Sequence, residues 1–525
     1  MTKEKIKKII KKAVKDLQKE GFFQNIKIPD FEIEFSSRKE HGDYSSNIAF
    51  LLAKEAKKSP RETARIIKDK IFQGKPKIIE RVENLNGFLN FFLSGAYLAR
   101  TIRDILEKKE NFARLKIGRG QKVNLEFISA NPTGPLHLGN ARGGFCGDVL
   151  ANVLERAGYR TAREYYVNDM GRQVLFLANS LKGKEPSYKN EYIQELKKRK
   201  EKDPKKAIRF IVSQIKKTTK RMGIKFDKWV YESSLEKEKK ACLDLLKKKN
   251  LVYQKNNALW FKSSRFGDDK DRVLLRSREK TIYSQDTYFL SDIAYLKNKF
   301  DRGFDWLIFF LGAEHFGYLP RLKAAAQALG FERERIRPII FQLVKLFEKG
   351  KEVKMSKRKG SYITIDELLD EVGVDAARFF FLLRSYNNHL LFDLDLAKEQ
   401  SEKNPVFYIQ YAHARICSIL KRAKVGRAKP QWGYKGPNHP KELQLIKKLI
   451  IFPEIIEQTA KDYQIQRLPQ YALGLATAFH QFYQECQVIS KNKKLSQSRL
   501  GLVLATKIIL KEALSLMGIS APEKM

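Results

Sequence analysis

The stretch that most restricts this chain runs from Lys122 to Val167. Val123, Leu125 and Phe127 alternate with Asn124 and Glu126, as a strand with one apolar face requires. Ser129-Ala130-Asn131-Pro132-Thr133-Gly134-Pro135 follows, and its prolines and glycine make it a loop. A helical run from Ala141 to Ala157 then stops at Gly158, and Tyr159 to Val167 reads as a second strand. Strand, loop, helix and strand in that order predict a βαβ unit. Its loop lies at the carboxyl edge of a parallel sheet, where α/β folds hold ligands. The loop suits a nucleotide. Gly139 leaves room for a base to approach the backbone. Asn140 stands at a helix N-terminus, where free N–H groups favour anionic oxygens, and His137 offers a donor beside it. Taken alone, such a turn is more often plain architecture.

A second segment strengthens the nucleotide reading. In Lys354-Met355-Ser356-Lys357-Arg358-Lys359-Gly360, Met-Ser is set between lysines and a glycine closes the loop, just before an expected strand at 362–365. Clustered lysines are common in a chain with 103 Lys+Arg against 60 Asp+Glu, but this arrangement is not. Lysines carried on a loop can neutralise charge that develops on the oxygens of a reacting triphosphate.

Length and charge bound the rest. At roughly 100–200 residues per domain, the 525 residues divide into about three or four units. Residues 1–115 read as a small α+β unit. Residues 116–365 read as a larger α/β unit with a lysine-dense insertion at about 185–280, and 366–525 as all helical. A formal charge of +43 calls for a polyanionic partner, while 43% hydrophobic residues exclude global disorder. No apolar run approaches the roughly 18 residues a membrane span needs. At the N-terminus, lysines break up Ile6, Ile9, Ile10, Val14 and Leu17, which excludes a signal peptide. Cys146, Cys242, Cys417 and Cys486 form no CxxC pair, and no HExxH occurs, so no structural zinc is expected. These features together predict a cytoplasmic protein that faces nucleic acid.

His137-Leu138-Gly139-Asn140 followed by Lys354-Met355-Ser356-Lys357 resembles the HIGH and KMSKS signatures of class I aminoacyl-tRNA synthetases. Within that class the sequence is most similar to the arginyl-tRNA synthetases. The similarity extends through Arg163-Glu164-Tyr165-Tyr166-Val167-Asn168-Asp169-Met170-Gly171, Tyr288 to Tyr295, and Asn404 to Arg415. It includes His41-Gly42-Asp43-Tyr44 and the terminal Ala521-Pro522-Glu523-Lys524-Met525, and so spans the chain in order. Two departures stand out: Asn140 replaces the second histidine of HIGH, and Arg358 the closing serine of KMSKS.

The resemblance implies a Rossmann-type catalytic domain that binds ATP between the two signature loops, with Mg²⁺ on its phosphates. By that analogy His137, Gly139 and Met355 face ATP, and Lys354 and Lys357 stabilise the leaving pyrophosphate. Ser129, Asn131 and Asn140 would hold the α-amino and α-carboxyl ends of L-arginine. Tyr288 and Asp292 lie one helical turn apart. By themselves they are an ordinary helix surface; with the resemblance they become the guanidinium site, and His315 lies near it. The N-terminal unit would grip the elbow of tRNA(Arg). The helical unit would read its anticodon through Tyr408, Tyr411 and Arg415 on one helix face, with Met525 nearby. A monomer whose first step requires bound tRNA is implied. The rival readings are another class I synthetase, such as the cysteinyl enzyme with its zinc ligands, and a non-catalytic basic RNA-binding protein.

Overall fold

A computed structural model describes the chain except for residues 37–38, 186, 277–286, 354–362 and 424–438. The first helix, Thr2–Lys19, buries Ile6, Ile10, Ala13, Val14 and Leu17 along one stripe and leaves its lysines outward. Beneath it lies a four-stranded antiparallel sheet. Its strands run in the order Ile33–Phe35, Tyr44–Ser46, Phe88–Leu93, Ile79–Leu85. Asn86 and Gly87 both take positive φ between the last two, as a two-residue hairpin turn demands.

The centre of the molecule is a five-stranded parallel sheet. In chain order it comprises β1 (Lys122–Glu126), helix α1 (Leu138–Arg156), β2 (Arg160–Val167), β3 (Lys228–Tyr231), helix α2 (Tyr288–Asp301), β4 (Trp306–Gly312) and β5 (Ile336–Phe341). The spatial order β5-β4-β1-β2-β3 puts β1 in the middle, with parallel pairing throughout. From β1 the chain winds outward through β2 and β3, then returns to start the other way at β4. The carboxyl ends of β1 and β4 therefore flank the switch point, where doubly wound sheets form their crevice. The lysine-dense stretch supplies edge strand β3 and three amphipathic helices, Glu191–Lys198, Pro204–Arg221 and Glu236–Lys248.

Alternation along the central strands sorts side chains between two buried layers. Phe127 faces α1, where Gly147 lies so close that an added Cβ would stand 2.4 Å from the Phe127 ring. Only a residue without a side chain permits that approach. Glu126 points the other way, towards α2, as do Glu164 and Tyr166 of β2. The polar positions of these strands are thus not a solvent face. They form a second, polar interior layer.

A hairpin of Val344–Glu348 and Lys351–Val353 follows β5 and adds Leu390–Asp393 in parallel. Of the strand expected at 362–365, Tyr362 lies outside the described residues, and residues 363–365 form no strand. Thr364 makes one isolated bridge with His137, and Ile365 already begins helix α3 (Ile365–Leu382), which Thr364 caps by accepting the Glu367 N–H at 3.1 Å. Among the described residues, five helices follow towards the C-terminus: α4 (Pro405–Arg422), α5 (Pro440–Ile450), α6 (Phe452–Asp462), α7 (Arg467–Glu485) and α8 (Lys493–Met517). Among the described residues, no helix is long and apolar enough to cross a membrane.

Buried polar contacts lock the units together. Asp43 pairs with Lys447, the Tyr44 hydroxyl donates to Glu454 at 3.1 Å, and Lys3 meets Glu457 at 2.6 Å. Arg378 of α3, fully buried, donates to Asp148 of α1 and to the carbonyl of Met517 at the end of α8. Through Arg378 the signature helix and the last helix share one guanidinium.

Candidate active site and nucleic-acid groove

The loop after β1 opens on strained backbone. Ile128 (φ 66°) and Ser129 (φ 39°) are consecutive left-handed residues without being glycine. Such conformations persist only where surrounding contacts impose them. Here the Ser129 Oγ accepts the Tyr166 N–H at 3.1 Å, and the Tyr165 hydroxyl donates to the Ala130 carbonyl at 3.0 Å.

His137, rather than Asn140, is the N-cap of α1. Its Nδ1 accepts the Gly139 N–H at 3.2 Å, so the neutral ring carries its proton on Nε2. Asn140 sits three positions on and turns back, its Oδ1 accepting the His137 N–H at 3.0 Å. The pair closes a reciprocal capping box. An added Cβ on Gly139 would stand 3.1 Å from the His137 ring.

Lys354, Met355 and Lys357 lie outside the described residues, but both flanks of their segment are in place. Val353 ends a hairpin strand. On the far side, Thr364 bridges His137, and the Ile365 N–H donates to the Leu136 carbonyl at 3.0 Å. Two segments far apart in sequence thus meet beside the start of α1.

The polar layer under α2 is the electrostatic centre. Lys299, with no exposed surface, donates to Glu126 at 2.5 Å and lies over the rings of Tyr295 (4.2 Å) and Phe309 (4.4 Å). Arg302 and the Tyr295 hydroxyl, the latter at 2.6 Å, both bind Glu164. Burial pushes the Glu164 carboxyl up, but Arg302, Lys299 and Tyr295 outweigh it and pull it down to about 2.

Asp292 differs. Burial drives its carboxyl up to about 7. The Tyr318 hydroxyl, which donates to it, pulls the other way, while Glu232 and Glu126 add to the rise. Glu232, at the end of β3, accepts the Ser291 hydroxyl at 2.6 Å. One turn before Asp292, half-exposed Tyr288 stands over Gly171, whose added Cβ would come 3.5 Å from the phenol oxygen. A half-buried carboxylate that is costly to ionise alone, with a half-exposed phenol one turn away, fits an organic cation.

The structure therefore gathers Ser129, His137, Gly139 and Asn140 at the β1–α1 turn and Tyr288 and Asp292 on α2. Asn131 is exposed in the loop. His315 is exposed beyond the end of β4, its Nε2 3.7 Å from Glu314 rather than against Asp292. Glu126, Glu232, Lys299 and Tyr318 escaped the sequence reading. Glu126 carried a signal in its polar position on a central strand; Tyr318 carried none, because it reaches Asp292 only through the turn after β4.

The helical unit holds a groove of about 1980 Å³. Tyr411, Arg415, Tyr483 and Met525 line it together with Arg103, Lys421, Arg422 and Lys507. The Arg415 guanidinium stacks over Tyr411 (4.7 Å) and Tyr483 (5.3 Å), and all of Tyr411, Tyr483 and Met525 are exposed. Tyr408 departs from this picture: it is half-buried, its ring 4.6 Å from that of His480. The C-terminal segment reaches the groove through tethers. Ser520 is held by Asp375, the Pro522 carbonyl lies 2.8 Å from His413, and Lys507 pairs with Glu523 at 3.0 Å.

All four cysteines are buried free thiols, and no cluster of three or more His, Cys, Asp or Glu suited to a metal occurs among the described residues.

Three family models match the chain. They are the arginyl tRNA synthetase N terminal domain at residues 4–93, the tRNA synthetases class I (R) catalytic domain at 101–207 and 189–387, and the DALR anticodon binding domain at 409–525. Arginine–tRNA ligase of Carboxydothermus hydrogenoformans is 42% identical over 94% of both chains. That of Caldanaerobacter subterraneus subsp. tengcongensis is 42% identical over 100% of this chain and 99% of its own. Thermus thermophilus arginyl-tRNA synthetase superposes with a TM-score of 0.79 over 100% of both chains at 21% identity. Mycobacterium tuberculosis methionyl-tRNA synthetase reaches 0.60 over 75% of this chain and 91% of its own, at 13% identity. The last two likenesses concern the fold. With full-length relatives at this identity, and with all three of its segments matched, the chain belongs to the arginyl-tRNA synthetase family.

Proposed function

We propose that the chain is an arginine–tRNA ligase. It joins L-arginine to ATP as arginyl-adenylate, releasing pyrophosphate, and passes the arginyl group to the 3′-terminal ribose of tRNA(Arg). The observation that carries this reading is Asp292: a half-buried carboxylate on the face of α2 turned to Tyr318, one turn from Tyr288. A guanidinium there would restore its charge and supply a bidentate partner.

No side-chain nucleophile is needed, because arginine's own carboxylate attacks the α-phosphate in line. The protein positions the reactants and stabilises charge. Ser129, Asn131 and Asn140 hold the α-amino and α-carboxyl groups. His137 and Gly139 line the ATP site at the start of α1. Lys354 and Lys357 stabilise the leaving pyrophosphate, and Met355 contributes to the ATP site. Mg²⁺ enters on the nucleotide's own phosphates and neutralises charge there. The N-terminal unit takes the tRNA elbow, and the Tyr411–Arg415–Met525 groove takes the anticodon; the exposed aromatic and cationic lining supports the second assignment.

The test is tRNA-dependent ATP–pyrophosphate exchange with each amino acid in turn. Exchange with arginine alone is expected. Exchange with a different amino acid, or none with arginine, overturns the proposal.

A further inference from the structure

Four phenols crowd the interior around the carboxyl ends of β1 and β2, and three of them use their hydroxyls. Tyr165 donates to the Ala130 carbonyl, Tyr295 to Glu164 and Tyr318 to Asp292. Tyr166 is the exception: its hydroxyl is buried and makes no hydrogen bond with any described residue. Yet its position is fixed. The ring stacks on Tyr295 at 5.0 Å and 21°, and its N–H is bound by Ser129 in the loop that leads to His137. Burial and the carboxylates of Asp292, Glu232, Glu126 and Asp169, in that order, keep the phenol protonated.

A neutral phenol has one donor and two lone pairs. Donation to a carboxylate of this cluster leaves the lone pairs for a donor from elsewhere. A guanidinium brings five N–H groups in a planar fork, and a carboxylate can take only two of them side by side. The remainder need other acceptors nearby. A buried hydroxyl that stays unpaired is costly, so its presence among carboxylates points to an occupant rich in donors.

We infer that Tyr166 is a specificity-determining residue for the amino-acid substrate, its hydroxyl accepting an N–H of the guanidinium that Asp292 binds. The inference rests on the reading of arginine as substrate. Asp292 supplies the charge, and Tyr166 distinguishes a planar fork of N–H donors from a shorter or differently shaped cation. A site built to hydrogen-bond a substrate group discriminates through the partners left unpaired when that group is missing.

Tyr166→Phe keeps the ring stack and removes only the oxygen. In tRNA-dependent ATP–pyrophosphate exchange with the full-length enzyme, its KM for arginine should rise about ten- to thirtyfold, the scale of one lost hydrogen bond to a charged group. The kcat, the KM for ATP and the unfolding temperature should stay close to wild type. An arginine KM within twofold of wild type overturns the inference. So does a loss spread evenly over kcat and the ATP and arginine KM values, which would mark a packing role. If the wild-type enzyme supports no exchange with arginine, the substrate reading itself falls, whatever the variant does.

Discussion

Between α2 and the parallel sheet, Glu126, Glu164 and Asp292 are largely withdrawn from water and answered by few, fixed partners, whereas in the groove of the helical unit Arg415, Lys421 and Arg422 stand around exposed aromatic rings. One region presents buried negative charge and the other solvated positive charge. The difference follows from the partner each would take. A small cation is told from its relatives only if its counter-charge is desolvated, because water would otherwise stand in for the right ligand. A polyanion needs many cations whose attraction survives in solvent and tolerates variation, with stacking surfaces for its bases. The same chain therefore follows opposite burial rules in two places.

The strongest way to break this comparison is Asp292→Asn, which keeps shape and removes charge. The kcat/KM for arginine should fall by about 10³–10⁴-fold, with the Kd for tRNA, measured by filter binding, within twofold of wild type. A fall of less than tenfold would mean that Asp292 is not the counter-charge. Tyr411→Ala should act in the mirror sense. Loss of one stacking platform raises the KM for tRNA by about ten- to a hundredfold, and the KM for arginine should not move. If both KM values rise together, the two regions are not separable.

A smaller effect lies in pH. The Asp292 carboxyl, at about 7 against an ordinary 3.8, holds its proton in the folded protein across that whole window. Between those values the folded state binds more protons than the unfolded one, so this group's contribution to stability is lost as pH rises towards 7. Guanidinium binding needs the ionised form and runs the other way. Arginine affinity should weaken by about eightfold from pH 7.5 to pH 6, with proton release on binding that rises from a small fraction at pH 7.5 to nearly one at pH 6. Asp292→Asn should flatten that profile, and a flat profile in the wild type would remove Asp292 from the site. The smallest expected change is in the groove: Arg415→Ala should lower the slope of log tRNA affinity against log salt by about one. An unchanged slope would mean that Arg415 supports the tyrosines rather than meeting phosphate.

Much of this was legible in the residue order. The alternation of Val123, Leu125 and Phe127, the Pro/Gly-broken loop and the glycine stop at Gly158 specified the βαβ unit, because strand period, turn chemistry and helix termination are local properties. Tyr288 and Asp292 were readable as neighbours for the same reason. The strand expected at 362–365 was misread. Tyr362, Ile363 and Ile365 look extended locally, but Thr364 and Glu367 form a capping box that starts α3 at once. Asn140 was placed at the helix start, yet the cap is His137, since the first turn begins before the apolar run does.

What the sequence determined by itself is therefore the order of elements, the two signature segments and the sign of the overall charge, all set by short-range pattern and composition. Tertiary structure alone decided which charges matter. It brought Tyr318 onto Asp292 and Lys299 onto Glu126, joined the β1 loop to Thr364, and buried the polar face of β1 and β2 that alternation would assign to solvent. The pKa of Asp292 has no counterpart in its local sequence: burial between a helix and a sheet removes water, and only then do neighbouring carboxylates and a phenol from distant segments set its charge.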